Sequence, residues 1–148
     1  CIQKQKNRLI MEIGNIILLT ALIYGIIGFT EGYIDGQNSL NGGDIEHKLS
    51  FAVRCLVAIG FWTGSHYVGY ETFNPEITAL IIPIMLLINS IGVDIGFNKS
   101  AGYHIGYIGK TSDWDKFIRK TPIGADGVLY QMTKVFVAGV LFFIVLMR

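Results

Sequence analysis

The stretch IGNIILLTALIYGIIGFTEGYI, residues 13–34, contains no lysine or arginine and a single carboxylate, Glu31. A helix of this length reaches about 30 Å at 1.5 Å per residue, the depth of a bilayer's hydrocarbon core. Its apolar residues form a block, with neither the period-2 nor the period-3.6 pattern of a half-buried element. It does not read as a signal peptide, because the apolar region is too long and no small-residue cleavage site follows.

Three further blocks repeat this pattern: residues 49–70 (LSFAVRCLVAIGFWTGSHYVGY), 77–97 (ITALIIPIMLLINSIGVDIGF) and 128–147 (VLYQMTKVFVAGVLFFIVLM). The second is the weakest, because Arg54 and His66 interrupt it. Both lie near its ends, where a long side chain can reach the headgroups. The third contains Pro83, a residue expected to kink it, and carries Asn89 and Asp94 in its second half. The composition agrees with membrane burial. The chain is 51% hydrophobic and 16% charged with a mean hydropathy of +0.49, whereas a soluble domain is about 25% charged. The expected fold class is therefore an all-α membrane protein, a compact bundle of about four transmembrane helices forming one integral membrane domain over residues 1–148. A net charge of +1 supplies no argument for nucleic acid as a partner.

The connections are short, with one exception. QNSLNGGDIEHK (37–48) reads as a turn-rich polar loop, and ETFNPE (71–76) as a tight link with Pro75 starting the next helix. Residues 98–127 form the only long connection. Within it Ser112 suits an N-cap, and Asp113 and Asp115 suit a first helical turn. Trp114, Phe117 and Ile118 share one face of a short amphipathic helix at the membrane surface. A loop turn packed on the bundle is the plainer alternative. Tyr103, Tyr107, Trp114 and Phe117 are the expected interfacial anchors. Residues 1–10 fall outside the native fold if Met11 is the initiator, and Cys1 fits a processed or lipidated end. Cys55, inside an apolar block, behaves as a small hydrophobe, so no disulfide framework is expected.

Four crossings put the loops after spans one and three on one side and both termini on the other. Lys48, Arg54, Lys99, Lys110, Lys116, Arg119, Lys120 and Lys134 lie on or near the two-loop side. Lys4, Lys6, Arg8 and Arg148 oppose them. This imbalance favours cytoplasmic large loops.

The same topology gathers Glu31, Asp35, His47, Arg54, Asp94 and Asn98 at one membrane face. Charges near a bilayer are costly unless paired or wet, so Arg54 is expected to pair with Glu31 or Asp94 and hold the helices in register. Alternatively the group lines a polar pocket. In that case Glu31, Asp35, His47, Arg54 and Asp94 are the candidate catalytic residues, and the acids and His47 are plausible metal ligands. No HExxH, GxSxG, Walker A or dinucleotide fingerprint occurs, and no cofactor is expected beyond bound lipid. His66 and His104 stand alone. Glycines recur four residues apart as Gly28, Gly32 and Gly36, as Gly60 and Gly64, and as Gly92 and Gly96. That interval lets helix backbones approach closely, within one protomer or between protomers.

Three functional readings follow. The first is a non-enzymatic structural or accessory subunit of a membrane complex or membrane-containing particle, with lipids and homo- or hetero-oligomeric membrane partners. The second is an oligomeric channel, transporter or holin-like pore lined by Glu31, Asp35, Asn89 and Asp94. The third is an intramembrane enzyme acting on lipid at the charged face.

Overall fold

A computed structural model describes residues 2–42, 54, 75–110 and 113–147, with side chains for 14, 15, 17–42, 54, 79–110 and 115–147. The described elements are helices: α1 (Ile2–Leu40), α2 (Pro75–Ser100), α3 (Asp113–Arg119) and α4 (Gly127–Met147). Three contain stretches long and apolar enough to cross a membrane: Ile17–Leu40, Ala79–Ser100 and Gly127–Met147. Helix is the expected solution, because hydrocarbon offers no partner for backbone N–H and C=O groups and a helix satisfies them internally. The expected second span, 49–70, lies outside the described residues except for Arg54.

α1 exceeds its expected bounds at both ends. It begins at Ile2, where straight-chain Gln, Lys, Arg, Leu and Met favour helix. It also continues to Leu40 through residues expected to form a loop. Tertiary contact holds that extension. Gly36 abuts Ser100 Oγ and the Phe97 carbonyl, and Gln37 Nε2 donates to the Ser100 carbonyl at 3.0 Å. The helix stops at Asn41–Gly42, where Gly42 takes a φ of 74°. α2 starts at Pro75 and runs unbroken across Pro83. It closes in a Schellman turn: Gly102 has a φ of 74°, and Tyr103 N donates to the Asn98 carbonyl at 2.8 Å. α4 is capped by Asp126, whose Oδ1 accepts from Val128 N at 2.8 Å and Leu129 N at 3.4 Å.

α1 and α2 pack backbone to backbone. A β-carbon on Gly28 would overlap the Asn89 carbonyl, and one on Gly32 the Val93 carbonyl. In return, β-carbons on Gly92 and Gly96 would strike the carbonyls of Gly25 and Phe29. Asn89, itself buried, donates to the Tyr24 carbonyl at 3.2 Å across this seam. Partner numbers rise together along both helices, so α1 and α2 run parallel. Gly60 and Gly64 lie outside the described residues.

α4 runs antiparallel to α2. Lys134 lies beside Ser90 and Asp94, while Val145 joins Ile17, Tyr24, Ile84 and Met85 in the core at the other end. Gly14 also meets Leu146 there. The outer faces are apolar, and several polar side chains are buried beside the apolar core. Phe136 is 71% exposed and Leu22 61%, whereas Asn89 and Asn98 are 2% exposed and Lys134 7%. Broad apolar outer faces around a polar-stitched interior suit lipid as the surrounding solvent.

Candidate functional site

Of the residues expected to gather at one face, Glu31 pairs with Arg54, whereas Asp94 pairs with Lys134, a residue outside that group. Gly92 and Gly96 turn toward α1. Asp94, two residues from each, points roughly 200° away around the helix, toward α4. Glu31 and Asp94 therefore lie at similar depth but on different sides of the α1–α2 seam.

The first pair joins α1 to Arg54. Arg54 Nε donates to Glu31 Oε2 at 2.8 Å, with both side chains largely sequestered. Asp35 lies one turn further along α1, half-buried. His47 lies outside the described residues.

The second pair joins α2 to α4. Lys134 Nζ donates to Asp94 Oδ2 at 2.6 Å and to Ser90 Oγ at 2.9 Å. Gln131 Nε2 donates to the same Asp94 oxygen at 2.6 Å. The ammonium also sits 4.2 Å from the centre of the Tyr130 ring, a cation–π contact strengthened by exclusion from water. Gln131 Oε1 is buried without a hydrogen-bond partner. The expected alternative of Arg54 bonding Asp94 gives way to Lys134. The reason is depth: Asp94 lies six residues before the end of α2, and Lys134 seven residues after the start of antiparallel α4.

Sequence reading missed Lys134 as a site residue and counted it as a loop-side charge. The usable signal is Gln131 and Lys134, three residues apart and thus on one face of an otherwise apolar helix. Lys134 is its only charge within Gly127–Met147. Such a lone buried base calls for an acid at matching depth.

These contacts limit the chemistry. Ser90 and Lys134 have the separation of a nucleophile and its base. Asp94 shares that lysine, so the three side chains form one hydrogen-bonded group between α2 and α4. Among the described residues, no three His, Cys, Asp or Glu side chains gather closely enough to hold a metal ion. What the two pairs do physically is neutralise charge and tie neighbouring segments at fixed depth.

Asn98, expected beside Asp94, instead supports the loop that follows α2. Its Nδ2 donates to the carbonyls of Ile105 at 3.1 Å and Tyr107 at 2.9 Å. Tyr107 stacks on Tyr103 with ring centres 4.2 Å apart, and its ring also meets the Arg119 guanidinium at 5.9 Å. Arg119 Nε donates to the Gly109 carbonyl at 2.9 Å, fastening α3 to the loop. Phe117 projects outward, 58% exposed. The Trp114 side chain lies outside the described set.

No family model, curated protein or solved structure matches this chain.

Proposed function

We propose that this chain is a non-enzymatic structural or accessory subunit of a membrane complex or membrane-containing particle, crossing the bilayer four times. The observation that carries this reading is that Glu31 and Asp94, both part-buried, each hold a base from another segment. Paired charges of this kind set register. The glycine seam adds a rigid platform, and the exposed faces of α1 and α4 offer apolar surface to lipid or neighbouring subunits. The fourth crossing rests on topology. Parallel α1 and α2 place Leu40 and Pro75 at opposite ends of the bundle. Setting aside the paired Arg54 and Lys134, the basic residues still favour the side bearing α3 as cytoplasmic.

The test is a charge exchange combined with purification from native membranes. Asp94→Lys and Lys134→Asp singly should abolish accumulation of the protein. The double exchange should restore both accumulation and a complex of defined stoichiometry. A solitary, ligand-free monomer from native membranes would remove the accessory reading. Flux through proteoliposomes that is lost on substituting Glu31, Asp35, Asn89 or Asp94 would transfer the protein to the pore class. Loss of lipid turnover in a folded Glu31→Ala or His47→Ala variant would transfer it to the enzymes.

A further inference from the structure

Residues 101–126 join the ends of two membrane spans, Ala79–Ser100 and Gly127–Met147, and contacts along the way hold them at that depth. Asn98, two residues inside the end of α2, donates to the Ile105 and Tyr107 carbonyls. Gly106 lies against the first residues of α4. A β-carbon on it would strike Val128 N, and one on Gly127 would strike the Gly106 carbonyl. Ile108 is buried, and its carbonyl, with that of Gly109, accepts from Arg119 of α3. The loop and α3 therefore form one unit at the level where a bilayer passes from hydrocarbon to headgroups.

Two properties of this unit's surface point to one partner. It shows large apolar side chains where the hydrocarbon core ends: Tyr103 is 46% exposed, Ile105 54%, Phe117 58% and Ile123 41%. On α3, Phe117 precedes Arg119 by two residues, roughly 200° around the helix, so it turns away from the loop that Arg119 grips. Basic residues also outnumber acids. Residues 99–127 carry Lys99, Lys110, Lys116, Arg119 and Lys120 against Asp113, Asp115 and Asp126. All five cations are exposed, whereas the Asp126 carboxylate is engaged in capping α4.

We infer that the loop and α3 dock on anionic phospholipid of the leaflet on their own side, with Ile105 and Phe117 set among the headgroups and Lys110 and Lys120 at the phosphates. Apolar and basic side chains presented together at headgroup depth are what such a surface binds. Depth favours lipid over a water-soluble partner, and the excess of cations favours anionic headgroups over the apolar flank of another subunit. The inference rests on the membrane placement above and is independent of the accessory role.

The test uses the full-length protein with Phe117→Trp as reporter, in a background of Trp62→Phe and Trp114→Phe. It is reconstituted in phosphatidylcholine vesicles holding a minor share of phosphatidylglycerol, with bromine on the acyl chains of one lipid or the other. Per molecule, brominated phosphatidylglycerol should quench the indole more than brominated phosphatidylcholine, by about fivefold for each lysine that engages a headgroup. Added salt should shrink that ratio. Lys110→Gln with Lys120→Gln should bring it to about one. Lys4→Gln with Arg8→Gln, at the other end of α1, should leave it unchanged. Ile105→Trp serves as the reporter if the Phe117 variant does not fold. The inference is overturned if aqueous iodide quenches the indole and neither lipid does, if both lipids quench alike, or if the paired glutamines keep the preference. A ratio lost equally through Lys4→Gln with Arg8→Gln also overturns it. Release of the protein by alkaline carbonate would instead bring down the membrane placement itself, so the two failures are separable.

Discussion

At the scale of single residues, Asn98 shows how a polar side chain earns its place inside an apolar bundle. It is 2% exposed, and its amide nitrogen serves two carbonyls of a loop that has no ladder of its own. Removing it strands those acceptors, at about 1–3 kcal/mol for a buried unsatisfied group. Asn98→Ala should therefore speed amide hydrogen exchange across residues 103–109 while leaving exchange in the α1–α2 seam unchanged. Asn98→Asp should behave alike, since an ionised carboxylate accepts but does not donate. Equal exchange in wild type and both variants would show that the loop is held by other means. The pairing of Glu31 was legible in the sequence, because Arg54 was the conspicuous cation in an apolar block. The partner of Asp94 was not. Lys134 lies only two turns inside its helix, where a lysine reads as an interfacial charge until the antiparallel register reveals its depth.

At the scale of elements, the four-residue glycine interval signalled close helix approach, and the structure gives that signal a mate and a direction. Gly28 and Gly32 mesh with the stretch from Asn89 to Gly96. The interval alone carries no register and does not separate parallel from antiparallel mating. Gly32→Ala should destabilise the protein by about 1–3 kcal/mol, because the added methyl group forces backbones apart. Gly139 of α4 has open space where a β-carbon would go. There Gly→Ala should stabilise by about 0.5–1 kcal/mol through reduced backbone entropy loss. Thermal unfolding in detergent should move down for the first and up for the second. A similar effect at both positions would mean that propensity rather than packing governs the seam. Helix ends were less legible than helix existence. α1 passes through a loop-like sequence because Gln37 and Gly36 find partners on α2, and such long-range contacts leave no local trace.

At the scale of the whole molecule, α1 and α2 run up and α4 down, a layout that predicts an accessibility pattern. With Cys1 and Cys55 replaced by serine, Asn41→Cys and Lys116→Cys should react with an impermeant maleimide from one side of the membrane. Gln3→Cys and Met147→Cys should react from the other. Labelling of positions 41 and 116 from opposite faces would contradict the arrangement. Apolar blocks announce the membrane from composition alone, whereas the order in which helices touch depends on contacts between distant parts of the chain. The Gln37–Ser100 and Asn89–Tyr24 bonds join residues 63 and 65 positions apart. A ribosome adding about 5–20 residues per second takes roughly 3–13 s to make that interval. During biogenesis the face of α1 that carries Gly28, Gly32 and Gly36 therefore waits seconds before its mate is made, open to whatever lipid or insertion factor is nearby. Its assembly is a matter of waiting, and anything that shields those glycines meanwhile acts as a chaperone for this fold.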